Sequence, residues 1–180
     1  MPNALQLVGE YNRAGGADHM NAEERRNFVT SHRTAIFGYN RKNDGPSMSV
    51  VYYLMDGGDI LISTMLERSK AKAVLRNPKV SLCVLDEKWP LTYMQVYCTA
   101  SVEPDIEAAS ELLMRVAGLM AGQAMPDSVR ANIKQMAVAE KRVVLRLKPY
   151  QTFETPPRHV YKPEDTRDLT HSLGSALPWK

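Results

Sequence analysis

A chain of 180 residues with 44% apolar and 24% charged side chains has the length of about one domain and enough apolar material for a real core. Its 23 basic and 20 acidic residues leave a formal charge of +3, too balanced for a surface that neutralises many phosphates, so nucleic acid is excluded as a partner and functional positive charge must be local. The opening MPNALQLVGEYNRAGG has neither a basic n-region nor a long apolar run, and the most apolar later stretch is interrupted by Arg115, so a soluble, cytoplasmic protein with no membrane partner is expected.

After this polar lead, NAEERRNFVTSH places Asn21 three residues before Glu24, a variant of the capping pattern that satisfies free backbone donors, and predicts a short helix ending near His32. RTAIFGY reads as a strand, NRKNDGP as a turn, SMSVVYYLM as a second strand, DGGD as a tight turn and ILIST as a third strand, together a meander. The period then changes: Ala71, Val74 and Leu75 recur at helical spacing between Arg68 and Arg76, and Asn77-Pro78 stops the helix. KVSLCVLD and TYMQVYCTASVE follow as strands around the turn region EKWPL. Cys83 and Cys98 lie in them, not spaced as a redox or zinc pair, and are expected to be reduced and buried.

From Asp105 one apolar face carries Ile106, Ala109, Leu113, Val116, Ala117 and Met120, and a second, after GQAMPD, carries Val129, Ile133, Met136 and Ala137. Met114, Met120, Met125 and Met136 are expected to fill helix core. KRVVLRLKPYQTFE returns to alternation, with Val143, Leu145 and Leu147 on one side and Arg142, Val144, Arg146 and Lys148 on the other, as a sixth strand. The rest is Pro-rich and aperiodic, and no structure is assigned to it. Short antiparallel strands with inserted helices make a mainly β (α+β) barrel, closed or nearly so, with flanking helices. Residues 1–155 form the single domain, with helices over 105–140 inserted before the last strand, and 156–180 a C-terminal tail.

Motifs for dinucleotides, nucleotide phosphates and zinc proteases are absent, and His19, His32, His159 and His171 are too scattered to suggest a metal site. No nucleophile elbow singles out a serine. The strand end Ser63-Thr64 offers hydroxyls just before Arg68-Ser69-Lys70 opens a helix. Basic side chains in a first turn oppose the helix dipole, at about a few tenths of a kcal/mol each, unless an anion sits among them. Hydroxyls, free amides, a guanidinium and an ammonium together read as an anion site, with Arg68 the bidentate partner and Lys70 the point charge. The alternative is an ordinary solvated helix face, the role expected of Arg76 and Lys79.

GPSMSVVYYLMDGGDILIST, followed by ERSKAKAVLRNPKVSLCVLDEKWPLTYMQVYCTASVE, resembles the split-barrel flavin-binding superfamily of pyridoxamine phosphate oxidase, and within it the branch of flavin or deazaflavin oxidoreductases. The resemblance implies a homodimeric six-stranded antiparallel split β-barrel with the cofactor in a groove at the dimer interface. It matches Ser63, Thr64, Arg68 and Lys70 to the phosphate-binding hydroxyls and basic pair, and Met48, Ser49, Val50 and Val51 to the segment whose backbone lies against the tricyclic ring. Cys98 stands where many relatives carry glycine, so backbone approach there differs. Gly-Pro before the second strand and an R-x-K pair are similar to users of coenzyme F-420, which is the expected cofactor, with FMN as the alternative.

The implied reaction is hydride transfer between reduced F-420 and a small organic acceptor of the quinone, enone or tetrapyrrole class, with no side-chain acid or base required. An FMN-dependent pyridoxamine phosphate oxidase-like enzyme and a non-catalytic flavin- or haem-binding protein are the alternatives. Trp89 and Tyr93 are expected to pack, or else to wall the acceptor pocket.

Overall fold

The computed structural model describes residues 19–86, 92–154 and 174–180. Helix α1 (Ala22–Ser31) starts on the predicted capping box: the Asn21 side chain accepts the N–H groups of Glu23 and Glu24 at 2.9 and 3.0 Å, and the Glu24 carboxylate accepts that of Asn21 at 2.7 Å. Two carboxylates in its first turn also suit the helix dipole. It ends where His32 turns extended.

Among the described residues eight strands follow in one antiparallel sheet: β1 (Thr34–Tyr39), β2 (Ser47–Tyr52), β3 (Leu54–Asp56), β4 (Asp59–Met65), β5 (Lys79–Asp86), β6 (Thr92–Glu103), β7 (Arg142–Glu154) and β8 (Ser175–Pro178). Their order is β2-β1-β5-β6-β7-β4-β3, with β8 added to β7. The two ends of this path, β2 and β3, are consecutive in the chain, separated by Tyr53 alone. The sheet therefore curls until its ends meet, and β2 comes close to β4 with no ladder between them. This curled, helix-flanked antiparallel sheet is consistent with a split barrel.

The expectation of six strands is corrected in two places. SMSVVYYLM divides at Tyr53, because β2 pairs with β1 and β3 with β4, and one straight strand cannot serve two ladders that diverge. Tyr53 instead turns into the core, its N–H donating to the Arg33 carbonyl at 3.2 Å and its hydroxyl to the Val29 carbonyl at 2.6 Å. The second correction lies in the tail, where β8 pairs in register with Gln151–Glu154 and delivers Trp179, 2% exposed, into the core. The expected boundary after residue 155 falls outside the described residues.

The barrel interior is filled by alternate residues: Ala35 and Phe37, Ile60 and Ile62, Val80, Leu82 and Val84, Met94, Val96 and Cys98, and Val143, Leu145 and Leu147. Val29 of α1 and Ala71 and Val74 of α2 (Ser69–Arg76) join them from the helices. A second, smaller core lies outside the barrel, where α3 (Ile106–Ala121) lays Ala109 and Leu112 on Leu61 and Val144. Val144, on the side of β7 that it shares with Arg142 and Arg146, is thereby buried under α3. The α3 contact face is rotated by about one position from the expected one: Leu112 and Met114 are buried, while Met120 is 64% exposed. On α4 (Arg130–Ala139) Met136 is exposed and only Ala137 is buried. Of the four methionines expected to fill helix core, Met114 alone does so fully, and α4, which carries Met136, packs mainly on α3. Cys98 is fully buried and Cys83 half-buried, both as free thiols.

Candidate cofactor site

The predicted anion site lies where β4 passes into α2. The Arg68 N–H donates to the Met65 carbonyl at 3.1 Å, turning the chain, and the Leu66 N–H donates to the Lys141 carbonyl at 3.0 Å, anchoring the turn to the start of β7. Arg68 is the N-cap of α2, yet its side chain makes no capping bond and the first turn contains no acid. Among the described residues the first-turn amides and the positive end of the dipole are thus presented without a carboxylate that caps them.

Several of the charges nearby are already committed, and those of the site are not. Glu67 pairs with Lys141 at 2.7 Å, a contact that lowers the glutamate's pKa and raises the lysine's. Arg76 donates to the Asn40 carbonyl at 2.8 Å, and Lys79 lies 4.2 Å over the Tyr150 ring while donating to Thr99 at 3.2 Å. These two were expected to be plain solvated charge and are instead tied down. Arg68 and Lys70 have no carboxylate within ion-pair distance among the described residues. Burial, and then the charge of Arg68, push the half-buried Lys70 ammonium below its ordinary pKa. Two adjacent cations, one of them half-desolvated, are a local cost that a bound phosphate removes.

Strand alternation separates the two predicted hydroxyls. Thr64 shares the parity of Ile60 and Ile62 and is buried on the interior side, whereas Ser63 faces the other way with Leu61. Ser63 Oγ is buried and has no hydrogen-bond partner. The same holds for Ser49 Oγ on β2. Of the five buried side-chain polar atoms so orphaned among the described residues, two belong to predicted site residues. An unpartnered buried hydroxyl costs roughly 1–3 kcal/mol, a cost that a ligand oxygen removes. These residues therefore fit a phosphorylated cofactor. Val51 places its side chain in the core, while Met48 and Val50 are each 72% exposed on the outer face, so this segment presents backbone and two apolar side chains to whatever covers it.

Three groupings were not visible in the sequence. Arg146 on β7 binds Asp56 at 2.8 Å, Asp59 at 3.2 Å and Glu103 at 2.8 Å, contacts that push its pKa up and clamp the β3–β4 turn onto the sheet. Arg25, 5% exposed, donates to the carbonyls of Met20 at 2.6 Å and Pro178 at 2.5 Å, while Glu154 accepts the Met20 N–H at 2.9 Å. Both knots join residues far apart in the chain, and alternation alone marked only Arg146. The third is a cavity beside α3, described below. Cys98 is inert as a nucleophile, since burial and the charge of Asp59 hold its thiol well above the ordinary value. Tyr93 is half-buried on β6, and Trp89 lies outside the described residues. Among the described residues no group of His, Cys, Asp and Glu is arranged to hold a metal, and no helix is long and apolar enough to cross a membrane.

Comparison with known proteins agrees with this architecture. A conserved hypothetical protein from Mycobacterium tuberculosis has a TM-score of 0.68 at 22% identity, over 89% of this chain and 96% of that one. An F420 reductase has a TM-score of 0.52 at 17% identity, over 67% of this chain and 88% of that one. A heme binding protein from Mycobacterium smegmatis has a TM-score of 0.59 at 14% identity, over 90% of this chain and 59% of that one. At such identities these likenesses show a common fold. No curated protein sequence matches the chain. The family model of pyridoxamine 5'-phosphate oxidase matches residues 22–155, every element from α1 through β7, and the chain belongs to that family.

Proposed function

We propose that this protein is an oxidoreductase that binds a flavin-type cofactor, coenzyme F-420 in preference to FMN, and uses it on a small organic acceptor of the quinone, enone or tetrapyrrole class. The observation that carries this reading is the uncommitted cation pair Arg68 and Lys70 at the acid-free start of α2, downstream of the orphaned Ser63 hydroxyl. The cofactor supplies hydride chemistry when bound. Arg68 holds a phosphate through its planar fork, Lys70 adds a point charge, and the first amides of α2 donate to the remaining oxygens. Ser69, exposed at the first helical position, adds a hydroxyl beside them. Ser49 supplies a donor from β2, whose backbone from Met48 to Val51 lies along the ring.

The active unit in this reading is a homodimer. Met48, Val50 and Tyr52 project from one face of β2, each at least 41% exposed, and a row of apolar side chains on a strand is an unsatisfied surface in a monomer. A second copy covers it and completes the groove around the ring.

Titration of the purified protein with F-420 and FMN separately, followed by absorption and fluorescence, tests the reading. Saturable binding of F-420, weakened several-fold or more in the Arg68→Glu/Lys70→Glu variant, is expected. Tight FMN binding with no affinity for F-420 overturns the choice of cofactor. Unchanged affinity in the double variant overturns the phosphate site. Binding of reduced F-420 with no turnover of any quinone, enone or tetrapyrrole favours a carrier over an enzyme.

A further inference from the structure

A cavity of about 580 Å³ opens between α3, the α3–α4 connection and the residue preceding β1, apart from the elements that carry the cofactor-site residues. Its wall is built, not incidental. α3 stops at Gly122 in the left-handed region, φ 71°, and the chain folds back so closely that a Cβ on Gly118 would lie 3.1 Å from the Gln123 carbonyl oxygen. The Gln123 N–H closes this return by donating to the Gly118 carbonyl at 3.1 Å. A side chain at position 118 would press on the returning chain, so the glycine lets residues 123–125 pack directly on α3 beside the cavity.

The interior is apolar and adaptable: Leu54, Met114, Leu119 and Met125 line it. Three guanidinium groups stand around it, and they differ in what they already hold. Arg130 is neutralised by Glu111 at 2.6 Å and Asp127 at 3.2 Å, a pairing that ties α4 to α3. Arg33 and Arg115 have no carboxylate partner among the described residues. Each makes a single long bond at 3.4 Å, Arg33 to the Leu119 carbonyl and Arg115 to the Met55 carbonyl. Those bonds hold the two side chains at the cavity while leaving most of their five donors free. The one acid in the lining, Glu111, is spent on Arg130.

An apolar pocket of this volume with two unspent guanidinium groups in its lining is complementary to a molecule with an apolar body and an acidic head. We propose that this cavity is a second ligand site, separate from the cofactor groove, for an amphipathic carboxylic acid whose carboxylate is held between Arg33 and Arg115. The apolar body lies against Met114 and Met125.

The test uses decanoate below its micellar range as the probe and decan-1-ol as its neutral counterpart, with binding to the full chain followed by calorimetry. Decanoate is expected to saturate one site per chain, and the Arg33→Ala/Arg115→Ala variant to weaken it about tenfold or more, as loss of a charge-assisted pair implies. Decanol binding should change little in that variant. Ala124→Trp, placed at the rim, should weaken both probes. Arg33, Arg115 and Ala124 are exposed, so the variants are expected to fold, which an unchanged melting curve checks. Absence of saturable decanoate binding, or equal affinity in the double arginine variant, overturns the proposal. Repeating the titration with F-420 or FMN present separates the sites, because displacement of decanoate by either cofactor would also overturn it.

Discussion

The Tyr53 hydroxyl donates to the Val29 carbonyl at 2.6 Å, joining the last turns of α1 to the point where the sheet changes ladder. The pair is buried, and burial pushes the phenol well above its ordinary pKa, so it remains a donor throughout the accessible pH range. Tyr53→Phe should therefore cost about 1–2 kcal/mol, the value of a buried hydrogen bond whose acceptor is left dry. Chemical denaturation with an unchanged slope and a lowered midpoint is the expected record. A midpoint equal to wild type would mean that Val29 finds another donor.

The orphaned serines separate ligand binding from stability. Neither Ser49 Oγ nor Ser63 Oγ has a partner among the described residues, so Ser49→Ala and Ser63→Ala should leave the free protein as stable as wild type or stabilise it by up to about 1–3 kcal/mol. The same changes should weaken cofactor binding by about tenfold where the hydroxyl meets a charged oxygen. A loss of stability with unchanged affinity would reverse their assignment.

Lys70, in the proposed site, should make cofactor binding weaken at alkaline pH. Its folded pKa is depressed below the ordinary 10.5 by burial and by Arg68, so carrying the charge destabilises the fold below that depressed value, and the penalty is relieved as pH rises through it. A bound phosphate reverses the sign, favouring the ammonium and drawing in a proton. Cofactor affinity should thus fall as pH rises through the depressed pKa of the free protein, and Lys70→Arg should flatten that fall. Parallel titrations of the two proteins at increasing pH would show it, and identical profiles would remove Lys70 from the site.

Val50 reports on assembly. Replacing this outward-facing residue of β2 with Asp puts charge on the surface proposed to meet a second copy, without disturbing the barrel interior. The variant should elute as a monomer in light-scattering chromatography, with weaker cofactor binding. A wild-type oligomer of the same mass from both proteins would place the interface elsewhere.

Trp179 tests the C-terminal strand. At 2% exposure within the main core, Trp179→Ala should cost about 3–5 kcal/mol. Thermal unfolding would measure it, and a change below about 1 kcal/mol would show that the core closes without it.

How much could be read from residues alone follows from the range of the forces involved. The Asn21–Glu24 box, the helix opening at Arg68 and the turn at DGGD are local arrangements, written within a few neighbouring positions, and they stand as expected. The clustering of Arg68 and Lys70 ahead of a helix was likewise legible, since helix-end electrostatics depend on the first turn alone.

What required tertiary structure was every decision involving a second, distant surface. Alternation set Val144 on the face of β7 with Arg142, Arg146 and Lys148, and only α3, arriving on that face, buries it. The division of Ser63 from Thr64 came from strand parity set against two different cores. The break at Tyr53 arose because the two ends of one stretch must pair with β1 and β4, which belong to opposite ends of the sheet path. β8 and Trp179, in a stretch without periodicity, gained structure from the free edge of β7 and the carbonyl-seeking Arg25 more than 150 residues away. Local sequence determined most of the helices and strands and where the Arg68 and Lys70 charges stand; chain closure and packing decided which of their faces would be buried, because burial depends on what arrives from elsewhere in the chain.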